Sequence, residues 1–413
     1  MIPFAILALI LSSSAKADIL NRQLIPIGES EAFMGNTGTG RATDAGAVFY
    51  NPAGLSAVEG SSVSATGSVY LSTDTKADAL LQVGSTQYPY EAKSYTSIPS
   101  TFAAVKKYGE WTLGFSALVP DFGENDSSFQ FPVNSATFAA VYSVKHNDLW
   151  LGLSAAHALS DTWSLGFTLF GVNHTESAVS SASLSDPTRN VASTSLNRTY
   201  LSAKGLVLAL GAHGQLQDWF GLGLRVQTPF LKIAGNAEIL SQSTTTSSGI
   251  VTPTLTDKKD LEGNYHLPLD MTIGTDFRVS ALLEFLFDIS YQLGAHYESI
   301  PGASNSSIYN TDPTLRYNFG AEYVASKDIR VQLGFFYNPS SIHDVANYPA
   351  GTEKDDYFGV TGGLSLGSKN VRTGIGAFYA WANGTLIPLG TGNGPVKEEI
   401  TAFGGLLTTA YLF

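Results

Sequence analysis

The chain has 413 residues, of which only 14% are charged, well below the share usual in a soluble globular domain, while Gly reaches 41. With 23 Lys+Arg against 35 Asp+Glu, the net charge of -12 removes the basic footprint that nucleic-acid binding needs. No Cys is present, which excludes disulfides, zinc-thiolate sites, iron-sulfur clusters and cysteine nucleophiles together.

Residues 2–11 form an apolar run followed by Ser12, Ser13, Ser14 and then Ala15-Lys16-Ala17. This predicts a signal peptide over 1–17, cut after a small-x-small site, although no Lys or Arg precedes the run. The alternative is a buried N-terminal helix; the run is too short to span a bilayer as a helix. Residues 18–60 do not alternate. Their Gly35-Asn36-Thr37-Gly38-Thr39-Gly40 stretch lacks the following Gly-Lys-Ser/Thr and the preceding strand of a phosphate loop.

From residue 61 onward, segments of about ten residues alternate apolar with polar or small side chains, the period of a strand with two unlike faces. Trp163, Leu165, Phe167 and Leu169 alternate with Ser164, Gly166 and Thr168. The spacing predicts strands near 61–71, 99–107, 111–120, 147–159, 162–174, 201–216, 219–228, 265–277, 282–296, 314–325, 329–338, 356–366, 371–382 and 399–413. Short, turn-forming connections fall after even-numbered strands and long ones after odd-numbered strands, as in an outer-membrane barrel. The polar, Ser/Thr-rich 175–200 and 229–264 are the best-marked long connections. Residues 137–145 also alternate, so they either extend the fourth strand or form an excursion that takes the count to 16.

These features predict an all-β transmembrane antiparallel barrel of about 14 strands over 61–413, with 18–60 folded into the lumen as a hatch. A soluble β-sandwich also alternates, but here the strands are long and aromatic residues recur near their ends. Phe403, Leu407, Thr409, Tyr411 and Phe413 share one face of the last strand, and chains with such a final aromatic residue resemble outer-membrane proteins whose assembly machinery reads it. The expected site is the outer membrane of a Gram-negative bacterium, with both termini periplasmic.

The stretch from Gly40 to Leu55, above all Asn51-Pro52-Ala53-Gly54-Leu55, resembles the hatch of the FadL/TodX family of outer-membrane transporters for long-chain fatty acids and other hydrophobic compounds. His266-Leu267-Pro268, Gly320-Ala321-Glu322-Tyr323 and Leu333-Gly334-Phe335 with Asn338-Pro339 are similar to the family's C-terminal half. The resemblance implies a monomeric, hatch-plugged barrel. It would pass hydrophobic small molecules passively and release them sideways into membrane lipid, with no cofactor or metal. It also implies that Asn51, Pro52 and Ala53 lie beside the third strand near an inward kink, for which Gly114 and Pro120 are the candidates. Each could instead be ordinary, a packing glycine and a strand terminus. The family's outer groove would fall at 175–200 and 229–264, whose scattered apolar residues suit an aromatic hydrocarbon better than a fatty acid.

Arg225, Glu284, Asp288, Arg316, Glu322, Arg330 and Arg372 stand opposite the apolar faces, where each would cost about 2 to 4 kcal/mol if turned to lipid at mid-depth. They are expected to line the lumen. They either grip the hatch as ion pairs or offer one guanidinium fork to a substrate carboxylate. The 7 His show no metal spacing, so an enzyme is not expected; His157, on a Ser-containing strand, is the residue a barrel hydrolase would use. The competing readings are a general diffusion porin, which should lack a plug, and an adhesive barrel, which would act through its long loops.

Overall fold

Alternation becomes strand where the two faces meet different surroundings. On β5 (Trp163–Asp186), Leu165, Phe167 and Leu169 are exposed on the outer surface, whereas Ser164 and Thr168 are buried inside. Polar-in, apolar-out packing is favourable only with lipid outside. The computed structural model describes residues 26–413 except 42–43, 59, 84, 134, 304–307, 349–350, 369 and 391–393. The signal-peptide segment 1–17 and the start of the hatch lie outside the described residues.

The first part of the wall comprises β1 (Ser61–Val83), β2 (Thr86–Tyr108), β3 (Trp111–Val133), β4 (Ala136–Ala158), β5, β6 (Val191–Gln217) and β7 (Phe220–Gln227). It continues through β10 (Asp270–Ser280), β11 (Leu283–Gln292), β14 (Thr314–Ser326), β15 (Ile329–Asn338), β16 (Glu353–Gly367), β17 (Val371–Leu386) and β19 (Val396–Leu412). Each pairs antiparallel with the next, and β19 pairs with β1 from Leu412↔Ser62 to Glu398↔Ala77, so the ring closes without a free edge. Beside it, β8 (Leu231–Ser247) takes over the upper half of β6, and β9 (Ile250–Leu261) pairs with β8. The other elements are the small β12 (Ala295–Glu298) and β13 (Ile308–Thr311) pair and the two-residue β18 (Leu389–Gly390) parallel to β1.

Of the 17 strands in the main sheet, all but β18 pair antiparallel throughout, giving a wall of 16 strands rather than about 14. The difference is the β8–β9 hairpin, which lies in the segment 229–264 expected to be a loop; the circuit itself runs through the other 14. Its outer strand β9 is almost wholly exposed and on β8 only Ala237 and Ile239 are buried, so the Ser and Thr of the hairpin carry no alternation. In the upper half of β5 more and less buried positions still alternate, but small and polar side chains occupy both, which hid the strand. Residues 137–145 extend β4, and 175–200 is the tip of the β5–β6 hairpin. At 3.3 Å or so per residue, strands of 23 residues greatly exceed the 9 to 11 that cross a bilayer.

Candidate functional site

Residues 26–58 fill the lower lumen with two 3-10 turns, Glu31–Phe33 and Pro52–Ala57, and the short helix α1 (Ala47–Tyr50), all joined by irregular backbone. Such backbone must find partners, and the wall supplies them. Gly35 donates to Thr361 Oγ1 at 2.8 Å, and Asn318 donates to the Gly35 carbonyl at 2.6 Å. The Gly38 and Thr39 amides both donate to Asp288 at 3.0 Å, and Thr66 donates to the Gly28 carbonyl at 2.6 Å. Wall glycines allow this approach. A Cβ on Gly223 would stand 1.7 Å from the Thr39 carbonyl oxygen, and one on Gly334 would stand 2.0 Å from the Gly35 amide.

Asn51 organises the Asn-Pro-Ala-Gly-Leu motif. Its side chain accepts from Ala53 at 3.2 Å and donates to the carbonyls of Thr39 at 2.8 Å and Ala212 at 3.0 Å. Its extended backbone suits the residue before Pro52, which starts the second 3-10 turn. Ser164 donates to the Ala53 carbonyl at 3.1 Å, Gly166 faces the Pro52 backbone, and Gly54 and Leu55 are buried. The motif therefore seats on β4, β5 and β6, and its 3-10 turn also touches β3, the strand beside which it is expected. The preceding α1 reaches β3 as well. Val48 lies near Gly114, where a Cβ would be 3.4 Å from it and 3.3 Å from the Ser154 Cβ. Gly114 is thus a packing glycine inside regular pairing, not a kink.

All seven predicted charged residues face the lumen, and most hold the hatch. Buried Arg41, from the hatch, pairs with Glu284 and, at 3.2 Å, with Glu322; Arg330 backs Glu322 at 3.7 Å. Arg372 reaches Glu29 at 3.2 Å. Arg225 lies 5.0 Å above the Phe49 ring and meets Asp270 at 3.3 Å, and Arg316 pairs with the other oxygen of Asp270. His157 sits at the short-turn rim, stacked on Trp111 at 4.7 Å.

The wall is split above the hatch. Pairing of β2 with β3 runs from Tyr108↔Trp111 to Thr101↔Leu118 and stops, while β1–β2 and β3–β4 continue to their hairpin ends. At the foot of the split, Val119 and Pro120 oppose Leu149 alone, a bulge between Leu118↔Trp150 and Asp121↔Asp148. Pro99 and Pro120 flank the last pairs, and neither offers an amide to a ladder. Higher up, Tyr88 and Phe131 stack across the gap with centroids 4.3 Å apart. The bulge also reverses which parity faces inward: Leu118 is buried before it and Asp121 after it.

Beside Pro120 lies a narrow, solvent-open cleft lined by Phe49, Trp150, Leu267 and Pro268, together with Asp121, Asp148, Gln227, Asp270, Gln292 and Arg316. Next to it, His174 stacks on Tyr265 at 3.8 Å and meets Asp148 at 2.5 Å, and Tyr265 donates to the same carboxylate. A second apolar cluster joins hatch Phe33 to Ile98 of β2 and to Val119 and Phe122 of β3. Sequence reasoning missed Phe49, Pro99, Asp121, Asp148, Trp150 and Tyr265. Only the Pro pair carried a signal, two residues without amides within the strands that flank one short turn.

A closed barrel with an apolar belt, a lumen occupied by the chain's own N-terminal segment and a break in the wall above it define a plugged outer-membrane transport barrel. Residues 9–363 match the family profile of the outer membrane protein transport protein (OMPP1/FadL/TodX), and the chain belongs to that family. Its fold is similar to that of a Pseudomonas aeruginosa FadL homologue, at 13% identity and a TM-score of 0.67, over 94% of this chain and 98% of that one. It is also similar to the P. putida toluene transporter TodX, at 14% identity and TM-score 0.64 over 94% and 99% of the two chains. The CymD monoaromatic hydrocarbon channel follows at 15% and 0.62, over 94% and 98%. No curated protein sequence matches.

Proposed function

We propose that the barrel takes up small hydrophobic compounds passively across the outer membrane and releases them sideways through the split between β2 and β3. One observation carries this reading: the β2–β3 ladder ends at the Val119–Pro120 bulge, beside an apolar-lined pocket, directly above a hatch tied to the wall. An apolar molecule gains nothing from an aqueous axial path but is stabilised on entering lipid, so a lateral exit needs no energy source. The toluene and monoaromatic channels among its structural neighbours support a one-ring compound as the cargo class. In this reading the short turns and both termini face the periplasm, and the protein acts as a monomer.

The test pairs two measurements. In planar bilayers the full chain should be silent and a variant lacking 26–58 should conduct. In cells, deleting Pro120 alone, the extra residue of the bulge, should let the β2–β3 ladder extend and should lower toluene uptake at least tenfold without opening the channel to ions. Steady conductance of the full chain would favour an open porin. Unchanged uptake by the deletion variant would remove the lateral exit.

A further inference from the structure

The ladder of β2 with β3 is shorter than the membrane around it. Its eight pairs begin at the exposed rings of Tyr108 and Trp111 on the short-turn rim and end at Thr101↔Leu118, whereas a strand needs about 9 to 11 residues to cross the hydrocarbon core. The outer surface beside the split places its foot at the same height. Phe102 of β2, Leu113 and Phe115 of β3, and Leu149 and Leu151 of β4 are exposed below it. Charges begin above it, with Lys93 against Asp74 at 3.2 Å on one bank and Lys145 against Glu124 and Asp126 on the other. The exposed rings of Tyr70 and Tyr95, 5.9 Å apart, mark the level between. The foot of the split, residues 95–100 of β2 and 119–122 of β3, thus opens at the upper edge of the apolar belt.

Unpaired backbone is costly where water is scarce. Each edge carries a proline where the pairing stops, Pro99 on one and Pro120 on the other, and so lacks one amide there. Behind the foot the surface is apolar, since Ile98 of β2 and Val119 and Phe122 of β3 belong to one cluster with hatch Phe33. The slot is therefore continuous with the lipid-facing belt in front and backed by hydrocarbon side chains. A flexible hydrocarbon chain can enter it without leaving apolar surroundings. A lipid headgroup finds no such welcome, because Lys93 and Lys145 are already held by acids. We infer that an acyl chain of a lipid from the leaflet on the tall-hairpin side fills the foot of the split in the resting barrel, and that cargo leaves by displacing it. This deepens the proposed lateral release and rests on it.

The experiment uses the full chain with Trp111→Phe, Trp163→Phe, Trp219→Phe and Trp381→Phe, which leaves Trp150 as the single indole. Trp150 is the register partner of Leu118 and is buried on the lumen side of the wall, beside the foot of the split. The protein is placed in nanodiscs of phosphatidylcholine brominated near the glycerol end or near the methyl end of its chains, and quenching of Trp150 emission is read against unbrominated lipid. Bromine near the glycerol end should quench at least twice as strongly as bromine near the methyl end. Saturating toluene should cut that quenching at least twofold, and so should deletion of Pro120. Quenching that toluene leaves unchanged would overturn the inference. A Pro120-deleted chain that loses toluene uptake yet keeps full quenching would also overturn it while leaving lateral release standing; one that keeps uptake would remove the lateral exit and the inference with it. If the deletion variant does not fold, the competition with toluene decides.

Discussion

Arg41 holds two carboxylates from different strands, Glu284 of β11 and Glu322 of β14, and so clamps the middle of the hatch to the wall. Arg41→Ala would leave two buried acids short of a partner, a loss of about 3 kcal/mol in hatch docking. Bilayer recordings should then show frequent openings where the unaltered chain is silent. Glu29 gives the hatch a pH response. Burial, aided by the charge of Asp44, raises its carboxyl from 4.5 to about 7 against the opposing pull of Arg372. Docking therefore favours the protonated acid. It is strongest below pH 4.5, weakens as the pH climbs toward 7 and is level above that. Burial moves Glu31 in the same direction. Channel openings should be more frequent at pH 8 than at pH 5, and Glu29→Gln should flatten that difference; equal activity at both pH values in the unaltered chain would exclude the effect.

Among the elements, β3 shows what a sequence can and cannot announce. Its lower half, Trp111 to Leu118, alternates because one face meets lipid and the other the hatch, and that half was legible. Above Pro120 the strand runs on to Val133, where polar side chains such as Glu124, Asp126 and Ser128 interrupt the apolar alternation. Pro120 was legible as a kink candidate because it lacks an amide, yet Gly114, equally suspect by composition, lies in unbroken pairing. The seven charged residues were legible through their cost in lipid. Their partners were not, because Arg41 and Glu29 belong to a segment without periodicity, so no register connects them to the wall. The glycines of the strands follow a similar logic. Gly334→Val on β15 would drive a side chain into Met34 and Gly35, and the resulting loss of the plug should appear as stable ion conductance with uptake selectivity lost.

At the scale of the whole molecule, the ring and the plug are separable in their pairing. Ring closure rests on the ladder of β19 with β1, which the hatch does not join. A chain lacking 26–58 should therefore still migrate as a folded, heat-modifiable barrel in detergent gels; collapse to an unfolded band would mean that the plug templates the wall. The tall hairpins above the bilayer remain to be placed in this scheme. Tyr88 and Phe131 meet across the gap that the ladder leaves open, with Phe129, Phe138 and Leu184 packed around them. Together with the last ladder pair below and a strand on each side, they make a doorway whose lintel is aromatic. In the proposed lateral release, bracing on four sides would keep the opening from widening for a larger visitor. Its width should act as a gauge, passing single-ring compounds and turning away fused-ring ones of equal hydrophobicity.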